Sequence, residues 1–322
     1  MRNILVTGGA GFIGSHLCER LLMWPENDVW CIDNLYSGSL NNIRPFLRNK
    51  RFHFREGDVC DAALMQELVH LKLDEIYHCA CPASPIFYQG AHAIDTTLTC
   101  VNGTYNVLAL ATKCGAKIMQ FSTSEVYGEP RVPHQSESDY GYVNPVGVRS
   151  CYDEGKRAAE SLCMDFVRTY NTKVKIIRIF NTYGPRMRTD DGRIISNLVC
   201  QTLRGEPMTI YGKGSQTRSF CYIDDLINGI LIVMRYTPDA FTGPVNLGNP
   251  QEITIKNLGI KINQLIHGRK EPLFEFHSLP QDDPTHRCPD ITQARKLGFN
   301  PKISLQDGLK ETIKYFKKII KE

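Results

Sequence analysis

The stretch that most narrows the fold is Asn3-Ile-Leu-Val-Thr7, followed at once by Gly8-Gly-Ala-Gly-Phe-Ile-Gly14 and the helical pattern Ser15 to Met23. This order predicts strand, glycine turn and helix. The glycines satisfy two spacings, Gly9, Gly11 and Gly14 as Gly-x-Gly-x-x-Gly, and Gly8, Gly11 and Gly14 as Gly-x-x-Gly-x-x-Gly. They permit a tight turn, let backbone amides approach a pyrophosphate at the positive end of a helix, and let that helix lie close on its strand. A second strand, Asp28 to Ile32, ends in Asp33, at the spacing of about 20 residues where an acid accepts adenosine ribose hydroxyls. A carboxylate there repels a 2′-phosphate, which predicts NAD rather than NADP.

Further strands are predicted at Arg51 to Glu56, Glu75 to His78, Lys117 to Phe121 and Lys175 to Ile179, and helices at Ala62 to His70, Ala93 to Cys114 and from Tyr152 onward. The alternation predicts an α/β protein with a Rossmann-type, doubly wound parallel sheet. Asp58 and Val59 then fall at the carboxyl edge of the third strand, where adenine should rest. Past Gly184 the elements shorten, and arginines recur in Gly- and Pro-rich loops: Asn181-Thr-Tyr-Gly-Pro-Arg186, Tyr211 to Ser219 with Arg218, and Gln281 to Arg287. Guanidinium forks in such loops grip diphosphates or carboxylates. We therefore expect a dinucleotide-binding domain over 1–184 and a smaller α/β substrate lobe over 185–322, with elements free to cross between them.

The 322 residues carry a net charge of only +4 without a basic run, which argues against nucleic acid or a membrane surface as partner. No charged-then-apolar leader and no apolar run of membrane length is present, so a cytosolic protein is expected. Twelve cysteines, mostly inside apolar segments and without a Cys-x-x-Cys, read as buried thiols in a reducing compartment rather than as a metal site.

The chemistry concentrates between Phe121 and Lys156. A buried strand ends in Thr123, Ser124 and Glu125, and Tyr152 and Lys156 stand four residues apart, on one face of a helix. An ammonium beside a phenol favours tyrosinate by roughly 1–3 pKa units, which would supply a base near neutral pH.

Thr7 to Gly14, Ser124-Glu-Val-Tyr-Gly128, Tyr152-x-x-x-Lys156 and Asn246-Leu-Gly248 together resemble the extended short-chain dehydrogenase/reductase superfamily of nucleotide-sugar enzymes, over nearly the whole chain. Within it, Pro82-Ala-Ser-Pro85, Ser122-Thr-Ser-Glu125, Tyr152-Asp-Glu-Gly-Lys156, Gly212-x-Gly-Ser-Gln-Thr-Arg218, Gln281-Asp-Asp-Pro284 and Arg287 are similar to UDP-glucuronate decarboxylases (UDP-xylose synthases). The resemblance implies that Gly8, Gly11, Phe12, Ile13 and Gly14 cradle NAD, with Asp33, Asn34, Ser37, Gly38, Asp58 and Val59 at its adenosine end. Ala80, Thr99, Tyr152 and Lys156 would stand nearer the nicotinamide. Pro85, Tyr88, Asn181, Arg193, Tyr211 and Arg218 would hold a UDP-linked sugar. Thr123 or Ser124 would bind the reacting hydroxyl, Tyr152 would be the base, Glu125 would sit beside carbons 4 and 5, and Arg287 would face the uronate. Hydride removal at carbon 4 would give a ketone beta to the carboxylate, carbon dioxide would leave, and the enolate would be protonated at carbon 5 through Glu125, Arg287 or a water they hold. Return of the hydride would then give UDP-xylose, with no metal needed.

Related reactions on the same fold compete. A 4,6-dehydratase needs an acid where Ser124 stands, a 4-epimerase usually lacks the Glu125 carboxylate, and a 4-dehydrogenase shares the first step. A catalytically silent nucleotide-sugar-binding protein is the non-enzymatic alternative. Two positions depart from the decarboxylase pattern, which has Lys-Thr-Asn where this chain has Leu98-Thr99-Cys100. Asn102 is about 200° round a helix from Cys100 and could replace that asparagine only with a change of register. The helices beginning near Ala93 and Tyr152 carry apolar faces beyond what one side of a sheet needs, and the resemblance implies that they pair across a twofold axis, in a homodimer or a dimer of dimers.

Overall fold

A computed structural model of the chain describes residues 1–268, 271–279 and 286–321; the Gln281 to Pro284 motif lies outside the described residues. The central sheet is built from β1 (Arg2–Thr7), β2 (Asn27–Asp33), β3 (Phe52–Glu56), β4 (Glu75–His78), β5 (Lys117–Thr123), β6 (Val174–Ile179) and β7 (Val245–Leu247), in spatial order β7-β6-β5-β4-β1-β2-β3. Every pairing is parallel. Parallel neighbours need crossovers, and these are helical: α1 (Phe12–Leu22), α2 (Ala62–Glu67), α3 (Ala93–Leu98), α4 (Thr104–Cys114) and α5 (Ser150–Tyr170).

Because successive side chains on a strand point to opposite faces, one apolar run feeds two cores. Ile4, Val6, Tyr77, Met119 and Ile177 pack with Leu17 and Leu21 of α1 and with α7 (Ile223–Tyr236). Leu5, Ile76, Ile118 and Ile176 pack on the other side with Val107 and Leu108 of α4 and with Cys163 and Phe166 of α5. α4 stops where Gly115 adopts a left-handed conformation (φ 68°), which a Cβ would disfavour. The chain reverses direction across the sheet between β1 and β4, and this opens the crevice in which such folds place their ligand.

Two features depart from the expected elements. Val245–Leu247 re-enters the main sheet beside β6, with Val245 opposite Ile177 and Leu247 opposite Ile179. Three residues between Pro244 and Gly248 are too few for a periodicity to mark them. The segment from Ala93 to Cys114 is helical throughout, but Thr99–Gly103 forms a π turn between α3 and α4. The remainder holds α6 (Ile194–Arg204), α8 (Ile255–His267) and α9 (Leu305–Lys321), with short paired strands such as Met208–Tyr211 beside Phe274–His277. No helix among the described residues is long and apolar enough to cross a membrane.

Candidate active site

A cavity of about 890 Å³ runs along the carboxyl ends of the strands and continues under the second half of the chain. Of the residues that the resemblance implies for cofactor and sugar, all but Gly38 line it: Gly8, Gly11, Phe12, Ile13, Gly14, Asp33, Asn34, Ser37, Asp58, Val59, Ala80 and Thr99, together with Pro85, Tyr88, Thr123, Ser124, Glu125, Tyr152, Lys156, Asn181, Arg193, Tyr211, Arg218 and Arg287. Gly38 stands behind Asp33, where a Cβ would lie 2.7 Å from Oδ1.

The glycine turn resolves its two spacings. Gly8, Gly11 and Gly14 border the cavity, whereas a Cβ on Gly9 would lie 2.5 Å from the Cys31 sulfur, in the core. A Cβ on Gly14 would meet the Gly8 carbonyl oxygen at 2.2 Å, so α1 can approach β1 this closely only with glycine there. The start of α1 has no side-chain cap and no acid in its first turn, leaving amide N–H groups aimed into the cavity. Asp33 ends β2 with Oδ2 accepting from the Ala10 amide at 2.9 Å and Oδ1 from Leu35 at 2.8 Å; burial nonetheless outweighs these bonds and raises its pKa.

At the other end β5 delivers Thr123, which caps the turn carrying Glu125 by accepting from its amide at 3.3 Å. The Glu125 carboxylate is clamped between two guanidiniums, Arg149 at 2.6 Å and Arg287 at 2.7 and 2.8 Å. Burial works to raise its pKa, but Arg287 and Arg149 prevail and hold it below the ordinary carboxylate range. Glu125 is thus an anion with no proton to donate. Arg287 directs its fork at Glu125, with Asn181 Oδ1 at 3.4 Å, so it faces the cavity as part of a charged cluster rather than as a separate arginine. Arg149, at the start of α5, and Asp153, one turn on, were not singled out from sequence. The only available signal was their spacing of four residues. Asp153 lies 3.9 Å from Arg149, and burial together with the Glu125 anion pushes its carboxyl up to about 8.

Tyr152 departs from expectation. Its ring stacks on Tyr88, with centroids 4.7 Å apart and planes at 9°, and its phenol shares a hydrogen bond with Thr123. The Lys156 ammonium lies 5.8 Å from the ring centroid and donates to the Phe121 carbonyl at 2.8 Å. Burial, reinforced by Cys81 and Glu125, therefore raises the phenol well above its usual range instead of lowering it. Lys156 itself is buried, but the surrounding Cys81 and Cys100 sulfurs more than compensate and keep it cationic. Buried polar atoms on residues that border the cavity and have no hydrogen-bond partner among the described residues include Ser84 Oγ, Tyr88 Oη, Asn181 Nδ2 and Arg186 Nη1. Such atoms are costly unless something polar occupies the cavity.

The π turn bears on the Lys-Thr-Asn departure. Asp95, Leu98, Thr99 and Asn102 border the cavity, whereas Cys100 is buried behind them. Asn102 reaches the cavity at ordinary helical spacing from Asp95, one turn along the face from Leu98 and Thr99, and does not stand in the place of Cys100.

Residues 4–248 match the profile described as the NAD dependent epimerase/dehydratase family. The chain belongs to this family. It is 47% identical over 309 residues to UDP-glucuronic acid decarboxylase 5 of Arabidopsis thaliana, covering 95% of this chain and 86% of that protein. It is 44% identical to UDP-glucuronic acid decarboxylase 1 of Xenopus tropicalis, covering 98% and 72%. Among solved structures, UDP-glucuronic acid 4-epimerase from Bacillus cereus with UDP-glucuronic acid and NAD superposes with a TM-score of 0.89 at 29% identity, over 98% of this chain and 99% of that one. UDP-glucose 4-epimerase from Thermotoga maritima gives 0.88 at 30% identity, over 99% of both chains. NAD is the cofactor of the family, and the residues present fit it: an uncapped helix start for the pyrophosphate, glycines where a Cβ would intrude, and a carboxylate at the end of β2.

Proposed function

We propose that this protein is an NAD-dependent UDP-glucuronate decarboxylase that forms UDP-xylose. The observation that carries this reading is the Arg149–Glu125–Arg287 cluster beside Tyr152. With Asp153 protonated, two guanidiniums against one carboxylate leave an excess positive charge, suited to an anionic sugar. The 43–48% identity to decarboxylases of plants and vertebrates supports the same substrate.

Bound NAD⁺ supplies a reversible hydride acceptor and a positive ring. The chain's own residues do the rest. The Gly8 to Gly14 turn and Asp33 hold the dinucleotide, and Lys156 and Tyr152 meet its reacting end. Arg193, Arg218 and Asn181, which border the cavity, would hold the diphosphate and sugar. With the positive ring in the cleft favouring its ionised form, Tyr152, hydrogen-bonded to Thr123, would be the base that takes the proton of the carbon-4 hydroxyl. Once carbon 4 is a ketone, the carboxylate on carbon 5 lies beta to it and leaves as carbon dioxide, because the ketone accepts the electron pair as an enolate. Glu125, an anion between arginines, does not itself give up a proton but would position a water that protonates carbon 5, and return of the hydride and of the Tyr152 proton to carbon 4 would give UDP-xylose. The protein is proposed to be cytosolic, in keeping with twelve unbridged cysteines.

Incubation with UDP-glucuronate, followed by mass spectrometry, should show loss of carbon dioxide. An isomer of unchanged mass would identify a 4-epimerase, loss of two hydrogens a 4-dehydrogenase, and no change a binding protein; each of these outcomes overturns the decarboxylase reading. Arg287→Ala leaves Glu125 paired with Arg149, so the protein should fold while turnover falls, with weaker substrate binding or absorbance at about 340 nm accumulating from reduced cofactor. Wild-type behaviour of Arg287→Ala would remove that residue from the site.

A further inference from the structure

Most cysteines here are sealed in the core, where burial pushes their thiols up, as for Cys163 and Cys221. Cys81 is different. It borders the cavity in the loop after β4, and its sulfur lies 3.3 Å from that of Cys100 in the π turn. Cys100 is wedged against α5, since a Cβ on Gly155 would fall 2.9 Å from the Cys100 Cβ. Lys156, one residue on, hydrogen-bonds Cys81. The hydrogen bond with Cys100, assisted by Lys156, outweighs burial and brings the Cys81 thiol down to about 7, whereas Cys79 two residues earlier is pushed up by burial. Cys18 and Cys31 also lie close together, but they are buried behind Gly9 and border no part of the cavity.

We propose that Cys81 and Cys100 are a redox-active dithiol in the catalytic cleft, whose oxidising substrate is a hydroperoxide small enough to enter it. The Cys81 thiolate attacks one peroxide oxygen, the O–O bond breaks, and the leaving hydroxide takes a proton to become water. Cys81 is now a sulfenic acid. Cys100 attacks that sulfur and the hydroxyl leaves as a second water, so that two thiols and hydrogen peroxide give a disulfide and two waters. The sulfurs need approach only from 3.3 Å to a bond length of about 2.05 Å. Cys100 sits in a π turn, a feature that is frequent at functional sites. The disulfide removes the Cys81 thiolate from Lys156 and ties the β4 loop to the helix behind the cleft, which should stop turnover until a dithiol reductant restores both thiols. The dithiol chemistry does not rest on the identity of the sugar.

The test uses the wild-type protein exposed to hydrogen peroxide, alkylated under denaturing conditions and digested without reduction. A linked Cys81–Cys100 peptide, two hydrogens lighter than the free pair, is expected. Iodoacetamide should label Cys81 of the native protein before the other cysteines, with half-maximal rate near pH 7 rather than the usual ~8.5, and NAD should protect it. Cys100→Ser should abolish the linked peptide and leave a Cys81 sulfenic acid that dimedone traps. Oxidation that pairs other cysteines, or labelling of Cys81 no faster than the rest, overturns the proposal. Because the mass readout needs no substrate, it stands or falls separately from the decarboxylase assignment.

Discussion

Charge bookkeeping around Glu125 decides what the site can attract. Two arginines and one carboxylate are net positive only while Asp153, one helical turn from Arg149, keeps its proton. Its carboxyl, raised to about 8, is protonated in the folded chain at pH values where the unfolded chain, at ~3.9, is already ionised. Folding stability should therefore fall as pH rises between those values, because the unfolded state releases the proton first. Asp153→Asn lacks this slope: its melting temperature should exceed that of the wild type by more at pH 8.5 than at pH 4.5, and its KM for UDP-glucuronate should not climb above pH 8 as the wild type's does. Tyr152 supplies a second check. Burial holds its phenol above the ordinary range, so difference spectra near 295 nm between the cofactor-free wild type and Tyr152→Phe should show no tyrosinate below about pH 10. Tyr152→Phe should also cost roughly 10²–10⁴-fold in turnover, measured as carbon dioxide release. The pairing of Tyr152 with Lys156 was legible four residues apart in sequence. The direction of the phenol's shift was not, since it depends on where the ammonium points and how much protein surrounds the ring.

The strand–turn–helix from Arg2 to Leu22 was legible because its constraint is local. Glycine is required wherever a Cβ would strike backbone, as at Gly14 against Gly8. Asp33 belongs to the same local grammar. Asp33→Ala should weaken NAD binding about 10- to 100-fold, the scale of a lost charge-assisted hydrogen bond, while improving binding of NADP; titration calorimetry with both cofactors checks it. Equal affinity of the wild-type protein for the two would remove Asp33 from that role. The helix from Ala93 to Cys114 shows the opposite case. Its apolar periodicity located it, yet the π turn at Thr99–Gly103 inserts a register change that no periodicity of 3.6 discloses. Within that turn Asn102 borders the cavity and Cys100 touches Cys81.

Across the whole molecule, helices beside the cleft leave Ile94 and Tyr105 exposed at 74% and 53%, and α4, which carries Tyr105, packs on the face of the sheet opposite α1. We propose that α3, α4 and α5 meet their counterparts in a second copy. Light scattering at micromolar concentration should then report a dimer or a larger even assembly, and Tyr105→Glu should shift it toward monomer. A monomeric wild-type protein would contradict this. The sequence alone determined the parallel sheet, because alternating strands and helices with a glycine turn at the first crossover leave hardly another way to satisfy backbone and bury both strand faces. It also determined the residue types of the chemistry, since Glu125, Tyr152, Lys156 and Arg287 sit in short motifs. Only the tertiary structure decided that Val245–Leu247 closes the sheet edge, that Arg149 and Arg287, 138 positions apart in the numbering, share one carboxylate, and that Cys81 and Cys100 touch. Those are contacts between distant segments, fixed by how helices stack on the sheet, and no local pattern of residues records them.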